Sequence, residues 1–465
     1  MKTVLLINPP LYFQKDQPKS LDVSFPPLGL LYLASYINKN SKDFKAKIID
    51  IGNEKDSLIQ TIKKIRKIKP YVFGITSMTP QLQGTIELAT NLKKYFKKTP
   101  IFIGGPHISA EPDFINRHYN LFDYAIIGEG EITFLESLNK IIKKNKLPKI
   151  QNSVPPMKLD DLPFPDKKLV KRQNYKQTES MMFSRGCPFQ CYYCSRPSIS
   201  HLVRYRSTKN LISEIKKCYP ICKGEISFQD DTFTMKRDKI IEFCQEIIKQ
   251  KIKISWDCNT RIDLVDKELL SLMKQAGCKQ INFGIESGNE RVRQEIIHKG
   301  NFSNKDIYQV FKFCQELKIK IACYFMIGHP TETKKELDDT KNMILNSKID
   351  ILGLSIPTPF PGSALYNIAL KEKIISPKII DDFSYKKLGE GYSGIYPVYI
   401  PKQISRDYLY EFLKQVNRKF YLNFRTLFNH LIKDILSIRQ LTSDLKDFIS
   451  LIINGVSTRK PYIKK

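Results

Sequence analysis

Cysteine is missing from the first part of the chain. None precedes Cys187, and three of the ten cysteines lie within the eight residues from Cys187 to Cys194. A disulfide framework needs cysteines distributed over the fold, so this distribution argues against one and indicates reduced thiols that bind metal. The sequence also lacks any run of eighteen uncharged apolar residues, which argues against a membrane-spanning helix. Residues 1–8 are typical of a short buried strand and not of a signal peptide, so we expect a cytoplasmic protein.

Acidic residues are scarce relative to basic ones: 47 Asp and Glu stand against 76 Lys and Arg, which gives a formal net charge of +29. The lysines are spread along the whole chain and do not form one basic block, so the charge is a weak signal for nucleic acid. A compositional bias towards Lys, Ile and Asn accounts for this even spread. The excess charge also fits an acidic partner protein or contact with an anionic membrane surface.

At 465 residues the chain exceeds the size at which one hydrophobic core stops growing, so we expect two or three domains. Over residues 1–150, apolar strands alternate with amphipathic helices. The strands are expected at residues 4–7, 46–51, 71–75, 101–104 and 124–127. Because helices between consecutive strands require crossovers, this alternation predicts an α/β domain with a parallel, doubly wound sheet.

Residues 151–175 form a proline-rich stretch that shows neither helical nor strand periodicity, and we interpret it as a linker. Residues 176–375 resume the alternation, with strands expected at residues 181–183, 225–228, 253–258, 280–285, 322–327 and 351–356. Six parallel strands fit a partial (β/α)6 TIM-like barrel whose active site lies at the strand ends. Residues 376–465 are expected to form a small, mainly helical region. Its apolar stripe comprises Leu409, Phe412, Leu413, Val416 and Phe420.

Three cysteines with spacings of four and three residues, Cys187, Cys191 and Cys194, follow the first expected barrel strand. Three thiolates in a short loop can bind three irons of a cubane cluster, which leaves the fourth iron open to a further ligand. A structural zinc site needs a second cysteine pair at matching spacing, and the chain does not supply one. The loop therefore predicts an iron–sulfur cluster.

The pattern Cys-x-x-x-Cys-x-Tyr-Cys resembles the signature loop of the radical S-adenosylmethionine (radical SAM) superfamily. This resemblance implies a 4Fe-4S cluster that cleaves SAM reductively to methionine and a 5′-deoxyadenosyl radical. It also implies an external electron donor, a protein of the flavodoxin or ferredoxin type. In that family the aromatic residue before the last cysteine, here Tyr193, lies beside the adenine of SAM.

The ends of the later barrel strands carry residue types that suit SAM. Carboxylates after the second strand suit its ammonium group, and a basic residue after the third suits its carboxylate. The segments after the fourth and fifth strands resemble those that contact the ribose and run along the adenine. His329 is interpreted as a loop histidine with satisfied hydrogen bonds in preference to a metal ligand. The SAM contacts expected on these grounds are Asp230, Asp231, Arg261, Glu286 or Ser287, and Ile327.

The first domain resembles that of the cobalamin-binding radical SAM family, through residues 7–10, 25–29, 104–107 and 124–131. The resemblance covers about residues 1–370 and implies that cobalamin binds at the carboxyl ends of the sheet. The cobalamin contacts it implies are Pro10, Gly29, Ser77, Thr79, Gly104, Gly105, Pro106, Gly128 and Glu129.

One motif of many cobalamin enzymes, Asp-x-His-x-x-Gly, is missing, because the sequence Asp50-Ile51-Gly52 contains no histidine. The only histidines before the barrel are His107 and His118, and neither has the required spacing. Many members of the resembled family lack the motif, so the resemblance implies cobalamin whose lower face is not bound by histidine. A flavodoxin-like domain without a cofactor is the alternative.

The expected function is methylation of an unactivated carbon or phosphinate centre in a small-molecule substrate. Oxidative cyclisation or rearrangement without methyl transfer is an alternative that the same pair of domains performs. A transfer-RNA methylthiolating enzyme would need a second cluster on cysteines of the first domain, and that domain contains none. A non-enzymatic iron–sulfur sensor would not need the strand ends that suit SAM.

Overall fold

The computed structural model describes residues 1–15, 17–19, 25–54, 56–171, 175, 179–196, 200–376 and 399–423. The chain divides into two compact units. The first comprises residues 1–189, 194–223 and 360–389, and the second comprises residues 190–193, 224–359 and 390–465. Most of the predicted C-terminal helical region, residues 377–398 and 424–465, lies outside the described residues.

The first unit is built on a parallel sheet. Its strands up to residue 152 are β1 (Lys2–Asn8), β2 (Tyr12–Gln14), β3 (Gln17–Lys19), β4 (Phe44–Asp50), β5 (Val72–Thr76), β6 (Ile101–Gly104), β7 (Tyr124–Ile127) and β8 (Ile150–Asn152). Strands β2 and β3 form a small antiparallel hairpin. The other six form one sheet in the order β4-β1-β5-β6-β7-β8, and all their pairings are parallel.

The central strand β1 shows why this sheet is predictable. Val4, Leu5, Leu6 and Ile7 are all fully buried, because a parallel sheet covered on both faces requires a continuous apolar run. Such runs identify the five strands predicted for residues 1–150. Strand β8 was not predicted, because its three residues are too few to show any periodicity, and it begins where the predicted linker does.

Helices follow the strands of the first unit, as crossover connections require. They are α1 (Leu28–Asn40), α2 (Ile51–Glu54), α3 (Leu58–Ile68), α4 (Leu82–Tyr95), α5 (Pro106–Ala110), α6 (Phe114–Arg117), α7 (Glu131–Ile142) and α8 (Thr208–Cys222). Helix α3 shows how the sequence sets such bounds. Ser57 and Gln60 form a reciprocal capping box at its start, and Lys69 ends it in the left-handed conformation, with φ of 51°.

Three short strands also lie in the first unit: β9 (Glu179–Met181), β10 (Ser184–Arg185) and β11 (Arg204–Tyr205). Strand β9 replaces the strand predicted at residues 181–183 and begins two residues earlier. Strands β10 and β11 pair antiparallel, so the chain leaves β10, passes through the three-cysteine loop and returns beside it.

The second unit contains five parallel strands that pair in chain order. They are β12 (Glu225–Phe228), β13 (Ser255–Thr260), β14 (Cys278–Glu286), β15 (Lys320–Met326) and β16 (Ile351–Ser355). The helices between them are α9 (Arg237–Lys249), α10 (Lys267–Gln275), α11 (Asn304–Glu316) and α12 (Lys334–Asn346). This is the repeated strand and helix pattern of a TIM-like barrel.

Helix α13 (Ala364–Lys371) belongs to the first unit, and α14 (Arg406–Tyr421) belongs to the second. The side chains that α14 buries are the five of the predicted stripe. At its end, the Tyr421 hydroxyl donates a hydrogen bond of 2.8 Å to the Leu352 carbonyl of β16. Helix α14 therefore packs on the second unit. Over the described ranges, no helix is both long and apolar enough to cross a membrane.

Gly84 allows α4 to approach the end of β1 closely. A Cβ atom at this position would lie 2.2 Å from the Pro10 carbonyl oxygen, and the Gly84 N–H donates to the Leu11 carbonyl at 3.0 Å. Real side chains do not tolerate such a distance from backbone. Gly84 therefore fixes the course of Pro10 at the carboxyl edge of the sheet.

We expect Gly84→Ala to destabilise the first unit by about 1–3 kcal/mol, the usual cost of overpacking. Gly29→Ala is the matched control, because a Cβ at Gly29 in α1 meets nothing within 4 Å. That variant should be neutral or slightly stabilising. Urea unfolding followed by circular dichroism measures both, and equal midpoints for the two variants would contradict this account of Gly84.

Candidate active site

The three-cysteine loop begins with a backbone turn that requires glycine. Gly186 has φ of 95°, and a Cβ there would lie 2.2 Å from the Leu202 carbonyl oxygen. Cys187, Cys191 and Cys194 are half-buried and are not joined in disulfides. The Cys194 sulfur accepts a hydrogen bond from the Arg196 N–H at 3.4 Å, a contact that stabilises a cluster thiolate.

This donor set fits an iron–sulfur cluster better than a single metal ion. Across the described part of the chain, no three metal-ligating side chains are gathered closely enough to hold one ion. A cubane cluster binds each thiolate through a different iron, so its cysteines stand farther apart than the ligands of one ion do.

Tyr192, between two of the cysteines, is anchored to the end of β15. Its hydroxyl lies 2.6 Å from His329 Nδ1, and His329 Nε2 lies 3.1 Å from the Met326 carbonyl oxygen. A carbonyl only accepts, so Nε2 carries the proton and Nδ1 accepts from the tyrosine. Burial lowers the pKa of His329 to about 4, which keeps the imidazole neutral and able to accept. The sequence predicts a loop histidine with satisfied hydrogen bonds, and both ring nitrogens have partners; the contact with Tyr192 was not predicted.

The next residue, Tyr193, is anchored to the end of β14. Its hydroxyl donates to Glu286 Oε1 at 2.7 Å, and Lys299 Nζ donates to the same oxygen at 2.9 Å. Burial lowers the pKa of Lys299, but Glu286 and Cys191 raise it by more, so the ammonium stays charged. Glu286 adopts φ of 73°, a conformation that few residues other than glycine take, beside the register shift that follows Gly284.

Lys299 was missed from the sequence. It follows a turn of π-helix, Val292–Ile296, and no motif marks it as part of the site. A basic residue thirteen positions after Glu286 becomes informative only when the fold brings the two side chains together.

Apart from Tyr193 in the cysteine loop, the predicted SAM contacts lie at or just after the ends of strands of the second unit, and the structure gives several of them partners. Asp230 is buried and Asp231 is half-buried. Arg261 pairs with Asp263 at 2.7 Å and also donates to the Lys299 carbonyl. Ile327 is buried, and its N–H donates to the Ser355 carbonyl at 2.9 Å.

Glu286 and Ser287 were alternatives for contact with the ribose. Ser287 is fully buried, and its hydroxyl lies 3.2 Å from that of Thr340 in α12. It also accepts the Asn289 N–H at 3.2 Å. The Ser287 side chain therefore points into the interior of the second unit, which favours Glu286 as the candidate for contact with the ribose.

In the first unit, most of the predicted cobalamin contacts lie after β1, β5, β6 and β7. Two of them are glycines that no other residue can replace without strain. Gly105 has φ of 97°, and a Cβ there would lie 2.6 Å from Thr76 Oγ1. Gly128 has φ of 87°, and a Cβ there would lie 2.4 Å from Ser153 Oγ. Gly29 lies elsewhere, in the first turn of α1, and is exposed.

Several of the remaining cobalamin candidates face the protein. Ser77 is fully buried, and its hydroxyl lies 3.0 Å from that of Thr85. Pro10 is also buried, and Gly104 and Pro106 flank Gly105 at the start of α5. Thr79 Oγ1 lies 3.1 Å from His107 Nδ1.

His107 belongs to the core of this domain. Its side chain is fully buried, its ring packs edge-on against Phe114 at 5.1 Å, and burial lowers its pKa to about 3. Nε2 is enclosed by protein atoms and has no hydrogen-bond partner among the described residues. A ligand to cobalt would have to project from the edge of the sheet, and His107 does not.

Glu129 is engaged by two arginines of the first unit. Arg185 donates to Oε2 at 2.8 Å, and Arg204 contacts Oε1. The second guanidinium nitrogen of Arg185 pairs with Glu131 at 2.8 Å. Burial raises the pKa of Glu129, but the two guanidinium groups lower it by more. Since Arg185 precedes Gly186, the Gly-Glu-Gly-Glu turn after β7 holds the start of the cysteine loop.

Two protein families match the two parts of the chain. The B12 binding domain family matches residues 20–138, and the radical SAM superfamily matches residues 181–344. Together with the cysteine loop and the parallel sheets, these matches define a radical SAM enzyme with an N-terminal B12-binding domain. The predicted fold class is confirmed.

Relatives cover nearly the whole chain. It is 30% identical over 454 residues to the uncharacterized methyltransferase PH0819 of Pyrococcus horikoshii. This alignment spans 93% of this chain and 94% of the relative. It is 25% identical to the anaerobic magnesium-protoporphyrin IX monomethyl ester cyclase of Rubrivivax gelatinosus, over 92% of this chain and 79% of the relative. The chain therefore belongs to the cobalamin-binding radical SAM methyltransferase family.

A solved structure shares the fold. The radical SAM methyltransferase TsrM of Kitasatospora setae, with cobalamin and a [4Fe-4S] cluster bound, matches with a TM-score of 0.66 at 17% identity. The match covers 80% of this chain and 78% of that one. The predictions of a 4Fe-4S cluster, SAM and cobalamin as cofactors are confirmed by the family membership.

We expect Tyr192→Phe to loosen the cysteine loop, because the variant lacks the hydroxyl that donates a hydrogen bond to His329 Nδ1. One net hydrogen bond is worth about 0.5–1.5 kcal/mol, so reconstituted protein should release iron to a chelator about 2- to 10-fold faster. His329→Leu should match Tyr192→Phe. His329→Asn should behave like the unchanged protein, since its amide oxygen can replace Nδ1.

Tyr421→Phe is the matched control. It removes a half-buried tyrosine hydrogen bond of the same unit, to the Leu352 carbonyl, away from the loop. Its iron release should be unchanged. If Tyr421→Phe released iron as fast as Tyr192→Phe, the effect would be a general loss of stability and not a loss of loop anchoring.

Proposed function

We propose that the protein methylates an unactivated carbon or phosphinate centre of a small molecule, using SAM, a 4Fe-4S cluster and cobalamin. The observation that carries this proposal is the joining of a B12-binding domain to a radical SAM domain in one chain, with a methyltransferase relative of nearly equal extent. Among other relatives is the cytidylyl-2-hydroxyethylphosphonate methyltransferase of Streptomyces wedmorensis, at 24% identity. The domain boundaries proposed are residues 1–150, 151–175, 176–375 and 376–465.

Cyclisation without methyl transfer is the second candidate. It is supported by the cyclase relative from Rubrivivax gelatinosus, which matches 92% of this chain. Both reactions begin with removal of a hydrogen atom from the substrate. They differ in whether a methyl group of SAM ends in the product.

In this proposal Cys187, Cys191 and Cys194 hold the cluster, and the strand ends of the second unit hold SAM. When bound, the reduced cluster supplies the electron that cleaves SAM. The Asp230 and Asp231 carboxylates receive the ammonium group of SAM, and Arg261 faces its carboxylate. Further contacts are Glu286 with the ribose, the Ile327 backbone along the adenine, and Tyr193 beside the adenine.

Cobalamin is proposed to bind at the carboxyl edge of the first sheet, and when bound it supplies a carrier for the methyl group. Gly105 and Gly128 fit this role, because positive φ and crowding exclude side chains from both turns. Thr79 and His107 support the loop after β6 from within the domain. Glu129 acts through Arg185 and Arg204 and is not proposed as a direct contact with cobalamin.

An acidic electron donor of the flavodoxin or ferredoxin type is the proposed protein partner. The net charge of +29 favours association with such a donor at low ionic strength. Transfer RNA is not proposed as a substrate, because the sequence before Cys187 offers no cysteine for a second cluster. A cytoplasmic location remains part of the proposal.

Anaerobic reconstitution tests the cofactors and the reaction together. We expect about four irons, four sulfides and one corrinoid per chain, and 5′-deoxyadenosine when dithionite and SAM are added. Cys191→Ala should lose the cluster, whereas Cys244→Ala, which changes a buried cysteine of α9, should retain it. If fully reconstituted protein made no 5′-deoxyadenosine, the proposal that this protein cleaves SAM reductively would be refuted.

SAM with a deuterated methyl group distinguishes the two candidate reactions. Methylation places the label in the product, whereas cyclisation changes the substrate mass without the label. If a product forms but carries no deuterium, the reaction is cyclisation or rearrangement and not methylation.

The buried position of His107 predicts that this histidine does not bind cobalt, and the missing Asp-x-His-x-x-Gly motif predicts the same of the other histidines. Electron paramagnetic resonance of bound cob(II)alamin shows splitting by an axial nitrogen when one is present. We expect the spectrum to be the same for unlabelled and uniformly ¹⁵N-labelled protein. A change from threefold to twofold splitting on labelling would show a protein nitrogen on cobalt and would contradict the assignment of His107 to the core.

A further inference from the structure

The strands of the second unit have one apolar face and one polar face. The apolar face packs against helices: Phe228 of β12 and Trp256 of β13 contact Phe243 of α9, with ring centroids 5.7 and 6.0 Å apart. Phe283 of β14 contacts Phe311 of α11 at 6.3 Å. Side chains alternate between the two faces of a strand, so the neighbouring residues point away from these helices.

On that opposite face, polar side chains form a hydrogen-bonded ladder across three strands. Ser227 of β12 donates to Asp257 Oδ1 of β13 at 2.7 Å. Asn282 of β14 donates to Asn259 Oδ1 of β13 at 3.0 Å, and Gln280 donates to Asn282 Oδ1 at 2.8 Å. Tyr324 of β15 continues this face. We call these six residues the polar ladder.

The ladder is buried, which makes its polarity costly. Ser227, Asp257 and Asn282 are no more than 3% exposed, while Asn259, Gln280 and Tyr324 are half-buried. The inner layers of TIM barrels are dominated by branched apolar side chains that pack without hydrogen bonds. Burying amides and a carboxylate instead costs free energy unless each finds partners. A polar ladder at this place therefore indicates a use beyond packing.

The ladder leads directly to the charged pair that anchors the cysteine loop. Along β14 the polar face presents Gln280, Asn282 and then Gly284. A Cβ at Gly284 would lie 2.5 Å from Glu286 Oε1 and 2.9 Å from Lys299 Nζ, so this pair lies over the glycine. The ladder therefore continues the face on which Glu286 holds Tyr193.

We infer that the polar ladder binds the substrate, and that the substrate is a small molecule rich in hydrogen-bonding groups and without net negative charge. This inference rests on the proposed function and, within it, selects the unactivated carbon centre, because a phosphinate is an anion at neutral pH. The Asn282 and Gln280 amides each carry two N–H donors, and the bonds within the ladder use one of them. A hydrocarbon substrate would offer the second donor no acceptor. The ladder contains one carboxylate, Asp257, and no basic residue, while Lys299 is already paired with Glu286. An anion bound there would be repelled.

Fractionated cell extract tests this inference. An extract of the host cells is partitioned between chloroform and methanol–water, and each fraction is incubated anaerobically with reconstituted enzyme, SAM and dithionite. Mass spectrometry identifies compounds whose mass changes only when enzyme, SAM and reductant are all present. We expect such a compound in the methanol–water fraction, and it should pass through an anion exchanger at neutral pH.

Three outcomes would overturn the inference: a reacting compound confined to the chloroform fraction, one retained by the anion exchanger, or none in the methanol–water fraction while 5′-deoxyadenosine still forms. Failure of the proposed function looks different. It gives protein that binds no iron or corrinoid, or forms no 5′-deoxyadenosine at all.

A variant of the ladder supplies the second measurement. Asn282→Leu keeps the size of the side chain and removes its amide, so the KM for the reacting compound should rise about 10-fold or more. Asn346→Leu, at the exposed end of α12, is the control and should leave this KM unchanged. If Asn282→Leu raised the KM for SAM and not that for the compound, the ladder would serve SAM and the inference would fall.

Discussion

Two adjacent tyrosine hydroxyls hold the segment between Cys191 and Cys194, and the chemistry of this end of the second unit depends on them. Each hydroxyl donates to a group that is an acceptor because of its surroundings. Nδ1 of His329 accepts because burial keeps the imidazole neutral, and Oε1 of Glu286 accepts from both Tyr193 and Lys299. The arrangement at His329 would fail in the other protonation state, since both nitrogens of an imidazolium donate.

The start of the same loop is held differently, by charge. In the first unit, Arg185 is bound between Glu129 and Glu131, and Arg204 shares Glu129. Paired and buried guanidinium groups are costly to separate, because one partner would be left as an uncompensated buried charge. The residue before Gly186 is therefore fixed by ion pairs, whereas the residues after Cys191 are fixed by hydrogen bonds. Both ends of the loop are prepared before a cofactor contributes any bond.

Much of this could be predicted from the sequence, because the strands and the cysteine spacing are local patterns. Continuous apolar runs such as residues 4–7 predict buried parallel strands, and strand ends predict where sites lie. Strand β8 could not be predicted because it is too short to show a pattern. The contacts of Lys299 with Glu286 and of His329 with Tyr192 could not be predicted because they join residues far apart in the chain. The polar face was not predicted, although the alternation in Ile226-Ser227-Phe228-Gln229 could have indicated it, since period-2 patterns imply one apolar and one polar side.

That alternation bears on how one fold serves many substrates. The anchored loop and the charged pair of Glu286 and Lys299 occupy the ends of the strands, where SAM chemistry demands fixed geometry. The ladder of Asp257, Asn259 and Asn282 lies farther down the same strands, where that chemistry sets no such demand. A buried site built to hydrogen-bond discriminates more sharply than an apolar one, because a substrate without the matching groups leaves polar atoms unpaired. The free energy spent on burying this ladder is therefore best explained as the cost of substrate specificity.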